Sequence, residues 1–168
     1  CQWARALGAT VIGTVSSPAK AELAMAHGCH HVINYGTENF PQRVREITGG
    51  EGVAVVYDGV GKDTFAGSLD CLRPLGMMVT FGNASGPVPP LDLIQLSLKG
   101  SLFVTRPTIA SYTAKRDDLV ALGAELFDMV ASGQVRIEVN QTYPLKDAAQ
   151  AHRDLEARKT TGSTILLP

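Results

Sequence analysis

The stretch VAVVYDGVG, residues 53–61, carries the clearest fold signal in the chain. Val53–Asp58 form an almost continuous apolar run, and glycines follow directly after it. A second run of this kind, MMVTF at 77–81, stands one helix length further on. Near-continuous apolar runs are typical of parallel strands that are covered on both faces. The two runs therefore predict the centre of a parallel sheet.

The same alternation of strand and helix extends in both directions from these runs. We expect the strands at Thr10–Val15, His31–Tyr35, Val53–Asp58, Met77–Phe81 and Leu102–Thr105. We expect the intervening helices at Pro18–His27, Phe40–Ile47, Thr64–Leu72 and Leu91–Leu98. A repeated strand–helix order predicts an α/β fold in which a doubly wound parallel sheet is joined by helical crossovers.

After Pro107 the alternation gives way to a long helix that ends at Gly133 and to a shorter final segment. There we expect a helix at Lys115–Ala131, a strand at 135–139 (VRIEV), a turn at 142–147 (TYPLKD), a helix at Ala148–Arg158 and a last strand at 163–168 (STILLP). We therefore divide the chain into residues 1–133 and residues 134–168.

The opening CQWARALGA, residues 1–9, has the pattern of the second half of a helix, with Gly8 as its terminator. A doubly wound sheet that starts in this way lacks its first strand, so we expect a fragment of a longer protein. In the usual strand order that strand lies in the middle of the sheet. Its absence would leave two apolar strand edges unpaired.

Composition argues against nucleic-acid and membrane partners. The 168 residues are 45% hydrophobic and 18% charged, with a formal net charge of −1 and no basic block. No apolar run reaches membrane-spanning length, and the opening residues lack the order of a signal peptide. The three cysteines, Cys1, Cys29 and Cys71, are far apart in sequence, which favours reduced thiols and a cytoplasmic location.

We find no catalytic or metal-binding motif. The four histidines have no metal-ligand spacing, and the G-x-S-x-G elbow of hydrolases is absent. GGEG at 49–52 precedes a strand, and GVG at 59–61 lacks the third glycine of a dinucleotide fingerprint. We interpret both as turns, and we assign no catalytic residue and no metal ligand.

The segment VIGTVSSPAK, residues 11–20, indicates a phosphate site. In dinucleotide-binding folds the second strand usually ends in an acid that binds the ribose hydroxyls. Here the strand runs into Ser16 and Ser17, with Pro18 as first helical residue and Lys20 as the third. Serine hydroxyls, free helix amides and an ammonium group would attract a 2′-phosphate. A plain helix cap beside a solvated lysine is the alternative.

Three further strand ends carry small, polar or aromatic residues: Tyr35, then Gly59 in YDGVG, then Gly82, Asn83 and Ser85 in TFGNASG. Ligands of parallel sheets bind at the carboxyl edge, so these residues predict contacts to the same ligand. Turn chemistry alone is the alternative explanation.

Six segments together carry a family resemblance that runs from Cys1 to Pro168. They are CQWARALGATVIGTVSS, VINY, REITGGEGVAVVYDGVG, SLDCLRPLGMMVTFGNASG, KGSLFVTRP and YPLKDAAQAHRDLEARKTTGSTILLP. The chain resembles the quinone oxidoreductases, the zeta-crystallin-like, zinc-free members of the medium-chain dehydrogenase/reductase superfamily. The resemblance implies a Rossmann-like nucleotide-binding domain in residues 1–133 and a returning segment of the catalytic domain in residues 134–168.

The resemblance also implies NADPH as hydride donor, a small quinone as acceptor, and a homodimer formed through the edge strand at 101–106. The implied cofactor-binding residues are Ser16, Ser17, Lys20, Tyr35, Val60, Phe81, Gly82, Asn83, Ser85, Phe103, Val104, Thr105 and Arg158. We expect the chain alone to bind the cofactor weakly and to turn over little.

Three alternatives stay open at this point. An enoyl reductase of the same superfamily would reduce a carbon–carbon double bond with NADPH. A non-enzymatic NADPH-binding module would bind without oxidising the cofactor. A methyltransferase-like α/β domain would normally have an acid where Ser16 and Ser17 stand.

Overall fold

A computed structural model describes residues 1–157 and 159–168, which divide into two compact units, Cys1–Gly123 and Ala124–Pro168. The elements of the first unit are α1 (Gln2–Ala6), β1 (Ile12–Val15), α2 (Pro18–Ala26), β2 (His31–Asn34), α3 (Phe40–Ile47), β3 (Val53–Asp58), α4 (Phe65–Asp70), β4 (Leu72–Thr80), α5 (Ile94–Leu98), β5 (Phe103–Thr105) and α6 (Ile109–Tyr112). Helix α7 (Arg116–Ala131) begins in the first unit and continues into the second, which adds β6 (Val139–Pro144), a 3-10 turn (Leu145–Asp147), α8 (Ala148–Glu156) and β7 (Ser163–Leu167).

Every strand pair in the described residues is parallel, which confirms the predicted fold class. Strands β1 and β2 form one sheet of the first unit, and β3, β4 and β5 form another in that order. Within the described chain, β1 and β3 each keep one edge that pairs with no strand. That arrangement is the one expected of a doubly wound sheet without its first strand.

A shared core joins the two sheets of the first unit. Ile33 of β2, Val44 of α3 and Cys71 after α4 are buried together. Ile12 of β1 and Val53 of β3 pack against this group, so one apolar cluster contacts both sheets. A second cluster lies beneath the three-stranded sheet and consists of Phe65, Leu69, Leu72, Met78 and Leu102.

Strand β3 is covered less completely than its apolar sequence predicts. Val55 is 41% exposed and Tyr57 is 75% exposed, while the terminal Asp58 is buried. The prediction that this run is covered on both faces is therefore wrong for the described chain. The reason is that helices α3 and α4 supply core contacts to Val53 and Val56, whereas no helix among residues 1–157 and 159–168 buries Val55 and Tyr57 in the same way.

Strand β4 begins five residues earlier than the predicted Met77. Leu72 pairs with Val53, and the register then shifts before Val55 pairs with Met77. Leu75, within the shifted stretch, has a φ of 60°. The sequence here contains a proline and a glycine, which is why it resembles a turn that ends a helix.

Arg45 connects α3 to the segments on either side of β3. Its guanidinium donates hydrogen bonds to the carbonyl oxygens of Asp70, Leu72, Gly50 and Glu51, at distances between 2.8 and 3.1 Å. Carbonyl groups at the end of α4 and in the GGEG turn are thereby satisfied by one side chain. The GGEG motif is a turn, as the sequence predicted.

The second unit differs from the prediction in the position of its first strand. The alternating segment at 135–138 forms no ladder, and the strand that pairs with β7 is Val139–Pro144. The Val135 amide instead donates a hydrogen bond to the Met129 carbonyl at 3.0 Å. This bond ends helix α7, and Gly133, which lies between the two residues, has a φ of 75°. The strand predicted at 135–139 is therefore wrong in position, and the turn predicted at 142–147 is confirmed only over Leu145–Asp147, because 142–144 belong to β6.

The domain boundary at residue 133 stays a prediction about the intact protein. None of the described helices has the length and apolar character needed to cross a lipid bilayer.

Candidate functional site

The end of β1 forms the capped helix start that the sequence predicted. The Ser17 hydroxyl accepts a hydrogen bond from the Lys20 amide at 3.4 Å, and Pro18 is the first residue of α2. The first turn of this helix contains no acid. Ser16 is exposed and Lys20 is half-buried, so a hydroxyl and a cation lie at the helix N-terminus, where the helix dipole favours an anion.

Tyr35 lies beside this helix start. Its amide donates to the Val15 carbonyl at 3.1 Å, which continues the pairing of β1 with β2 by one residue. The Tyr35 side chain is 37% exposed. The structure thus brings Tyr35 and Ser16 to the same sheet edge.

Asp58 organises the turn after β3. This buried carboxylate accepts hydrogen bonds from the amides of Val60 and Gly61, at 2.8 and 2.9 Å. It also accepts from the hydroxyls of Thr64 and Ser68, at 2.8 and 2.9 Å. One side chain therefore fixes both the glycine turn and the first residues of α4 against the end of the strand.

The turn after β3 is interlocked with the loop after β4. The Ser85 hydroxyl donates to the Val60 carbonyl at 2.9 Å and accepts from the Asp63 amide at 3.0 Å. The Ser85 amide also donates to the Val60 carbonyl, and the Phe81 amide donates to the Asp58 carbonyl. Ser85 thus holds the two loops together, and its contact with a cofactor stays a prediction.

Close packing of these two loops requires glycine. A Cβ atom on Gly82 would lie 2.1 Å from the carbonyl oxygen of Gly59. Gly61 has a φ of 90°, and a Cβ atom there would lie 2.7 Å from the carbonyl oxygen of Gly86. Local packing therefore explains these glycines, and it also leaves the backbone of both loops at the carboxyl edge of the sheet.

Strand β5 completes this edge. Thr105 pairs with Val79, which places it beside the end of β4, and Phe81 and Phe103 are each 56% exposed. The Arg106 guanidinium donates to the Thr80 hydroxyl at 3.4 Å. Exposed aromatic and cationic side chains thus lie next to the two interlocked loops.

The predicted site residues fall into two groups. The end of the β1–β2 sheet holds Ser16, Ser17, Lys20 and Tyr35. The end of the three-stranded sheet holds Val60, Phe81, Gly82, Asn83, Ser85, Phe103, Val104 and Thr105. The remaining predicted residue, Arg158, lies outside the described residues.

Sequence reasoning missed Asp58, Thr64, Ser68 and Arg106. An acid at a strand end followed by hydroxyl residues six and ten positions later is the available signal for the first three. For Arg106 the sequence offers no signal of a functional role other than its position directly after an edge strand.

The family model for zinc-binding dehydrogenases matches residues 1–124. The chain belongs to this family. Within residues 1–157 and 159–168, no group of three or more His, Cys, Asp or Glu side chains is placed to hold a metal ion. The described residues therefore do not fit a zinc site, and no step is assigned to a metal.

Curated relatives and solved structures confirm the resemblance to quinone oxidoreductases. A quinone oxidoreductase from Pseudomonas aeruginosa is 56% identical over 168 residues, which is all of this chain and 52% of the relative. A 2-haloacrylate reductase from a Burkholderia species is 52% identical over 99% of this chain and 50% of its own length. The crystal structure of Escherichia coli quinone oxidoreductase complexed with NADPH has a TM-score of 0.95 and 51% identity, covering all of this chain and 52% of that one. The chain spans about half the length of the curated relatives it matches.

Proposed function

We propose that this chain is the NADPH-binding part of an enzyme that reduces quinones by hydride transfer. The observation that carries the proposal is the end of β1, where Ser16, the Ser17 cap and Lys20 surround the N-terminus of α2. A carboxylate at this point would repel a 2′-phosphate, whereas hydroxyls, helix amides and an ammonium group bind it. The arrangement therefore favours NADPH over NADH.

The other strand ends provide the rest of the proposed cofactor site. Tyr35 lies beside the 2′-phosphate position, and the interlocked loops offer backbone groups and small residues along the cofactor. The proposed contacts there are Val60, Phe81, Gly82, Asn83, Ser85, Phe103, Val104 and Thr105, with Arg158 as a late contact. When bound, NADPH supplies the hydride, and these residues position it and exclude water. We assign no general acid or base.

The names of the relatives support the proposed chemistry, and the solved structures support the proposed fold of the cofactor-binding part. Proteins 51–56% identical to this chain are named quinone oxidoreductases, and one solved neighbour with a TM-score of 0.95 was crystallised with NADPH. Since the chain spans about half of these relatives, the quinone pocket is proposed to involve residues beyond it.

A second candidate is NADPH-dependent reduction of a carbon–carbon double bond. The observation that favours it is the 52% identity to a 2-haloacrylate reductase. A haloacrylate contains such a double bond, and both reactions use the same hydride donor, so the described cofactor residues serve either one.

The proposal includes a cytoplasmic location and a homodimer. Strand β5 is the terminal strand of its sheet, and Phe103 on it is 56% exposed, so 101–106 is available for pairing with a second copy. Light scattering of the full-length protein tests this part, and a monomer would contradict it.

The activity is tested by following NADPH oxidation with a panel of quinones and of activated alkenes. The assay compares this chain with the full-length protein, and a reaction without any acceptor is the control for each. The proposal expects acceptor-dependent oxidation by the full-length protein, greater with quinones, and little turnover by the chain alone. Faster turnover with alkenes would favour the second candidate, and cofactor binding without oxidation would favour a non-enzymatic module.

A further inference from the structure

We infer that Asp58 is a positioning residue for the proposed cofactor: it sets the affinity for NADPH and NADH alike by holding Val60 against Ser85, and it does not bind the cofactor itself. This role rests on the proposed function and extends it to a residue outside the predicted contacts. Every hydrogen bond that carries the role lies within residues 58–85, in the first unit.

The side chain of Asp58 has no acceptor site left for a ligand. Its Oδ1 atom accepts hydrogen bonds from the amides of Val60 and Gly61, at 2.8 and 2.9 Å. Its Oδ2 atom accepts from the hydroxyls of Thr64 and Ser68, at 2.8 and 2.9 Å. An ionised carboxylate has about four lone-pair sites, and Asp58 is 4% exposed. In many dinucleotide folds an acid at a strand end binds ribose hydroxyls, but this one is occupied within the protein.

Val60 links Asp58 to the second loop of the site. Its amide donates to Asp58, and its carbonyl oxygen accepts from the amide and the hydroxyl of Ser85, at 2.8 and 2.9 Å. Ser85 belongs to the loop after β4, and Phe81 at the start of that loop donates its amide to the Asp58 carbonyl at 2.9 Å. Release of the Val60 amide would therefore loosen two loops of the proposed cofactor site together.

The Ser85 hydroxyl is used in the same arrangement. It donates to the Val60 carbonyl at 2.9 Å and accepts from the Asp63 amide at 3.0 Å. A serine hydroxyl has one proton to donate, so Ser85 can donate to a cofactor only by giving up its hydroxyl bond to Val60. A direct contact and a loop-holding role therefore predict different results when Ser85 and Asp58 are changed together.

Loosened loops lower the affinity through the fraction of folded protein that is competent to bind. The apparent Kd rises in inverse proportion to that fraction, so a fall to about one tenth in Asp58→Ala raises the Kd about tenfold. NADPH and NADH differ only in the 2′-phosphate, which the proposed function places at Ser16, Ser17 and Lys20. The same factor is therefore expected for both cofactors. Asp58→Asn keeps a carbonyl oxygen for the two amides, and its Kd values are expected to stay within about twofold of wild type.

The experiment is isothermal titration calorimetry of the full-length protein with NADPH and with NADH, which gives the Kd and the number of binding sites separately. Circular dichroism at the same temperature gives the folded fraction. A purely structural role for Asp58 would lower the number of sites and leave the Kd of the folded protein unchanged. Asp92→Ala is the matched control, since the Asp92 carboxylate also accepts from an amide two residues ahead, on the exposed surface, and both values are expected to stay unchanged.

Ser85→Ala is the second variant, because it releases Val60 from the other side and keeps the hydrogen bonds of the Asp58 side chain. It is expected to raise both Kd values about threefold in the wild-type protein and to have almost no effect in Asp58→Ala, where Val60 is already released. If Asp58→Ala does not fold, the same pair of measurements uses Thr64→Val, which removes the hydroxyl that donates to both oxygens of Asp58.

Two kinds of failure can be told apart. Wild-type Kd values in folded Asp58→Ala would overturn the positioning role, and so would a loss of affinity confined to NADPH. Additive effects of Ser85→Ala and Asp58→Ala would also overturn it, because they would show that the two residues act on the cofactor independently. Binding of neither cofactor by the wild-type full-length protein would instead overturn the proposed function, and the positioning role with it.

Discussion

Replacement of Asp58 by alanine tests whether one carboxylate holds the loops of the site. In the folded chain this side chain accepts hydrogen bonds from two backbone amides and two hydroxyls. The hydroxyls of Thr64 and Ser68 can rotate to other acceptors after the change. The amides of Val60 and Gly61 are fixed by the turn and would be left without an acceptor.

The expected loss of stability follows from those two amides. An unsatisfied buried donor costs about 1–3 kcal/mol, and since the Gly61 amide is buried while the Val60 amide is part-buried, the expected loss for Asp58→Ala is roughly 2–4 kcal/mol. Asp58→Asn keeps a carbonyl oxygen where both amides point, and its amide nitrogen can donate to the hydroxyls. The expected loss for Asp58→Asn is therefore about 1 kcal/mol.

Urea unfolding followed by circular dichroism measures both values. Asp92→Ala is the matched control, because the Asp92 carboxylate also accepts from an amide two residues ahead, that of Ile94, but on the exposed surface. That control is expected to change the free energy of unfolding by no more than about 0.5 kcal/mol. If Asp58→Ala is no more destabilising than Asp92→Ala, the reasoning about this buried carboxylate is wrong.

Gly82→Ala is expected to destabilise the chain by about 1–3 kcal/mol, because its Cβ atom would collide with the facing loop at 2.1 Å, whereas Gly123→Ala, with open space around it, is expected to be neutral or stabilising in urea unfolding. Equal stability of the two variants would contradict this. Cys71 is expected to resist N-ethylmaleimide at about pH 9 in the folded chain and to react in urea, since burial raises its pKa to about 12; rapid labelling of folded protein would count against it. Hydrogen bonds, led by that from Gln150, lower the pKa of Asp154 below its unfolded value, so its stabilising effect is present above the ordinary carboxyl range and is lost as pH falls through the folded pKa. Asp154→Asn should therefore flatten the fall in urea midpoint between about pH 5 and about pH 2, and an unchanged pH profile would refute the assignment.

Local signals predicted the first unit well where they were strong. The bounds of α3 and β3 agree with the prediction to the residue, because Asn39 caps the helix and the strand is a single apolar run. Ser17 and Pro18 likewise fixed the start of α2.

The errors arose where a pattern has two physical explanations. Alternating apolar residues at 135–139 resemble a strand, but the Val135 amide is used to close α7. The role of Asp58 was missed because its partners Thr64 and Ser68 come within reach only after α4 folds back on β3, and their spacing from Asp58 spans two elements, so it follows no single helical or strand period. Long-range contacts of this kind leave no local periodicity to detect.

The central claim, a site for the 2′-phosphate of NADPH at the end of β1, is tested most directly by titrating the folded chain with NADPH and NADH while following nicotinamide fluorescence. Lys20→Ala is compared with Lys115→Ala, which changes an exposed lysine outside the predicted site. Charge-assisted contacts of about 1.5–3 kcal/mol each predict a preference for NADPH on the order of 10²- to 10⁴-fold. Lys20→Ala should weaken NADPH binding by about ten- to a hundredfold and leave NADH binding unchanged. Lys115→Ala should leave the binding of both cofactors unchanged. Equal binding of the two cofactors by the folded chain, or no effect of Lys20→Ala, would contradict the claim.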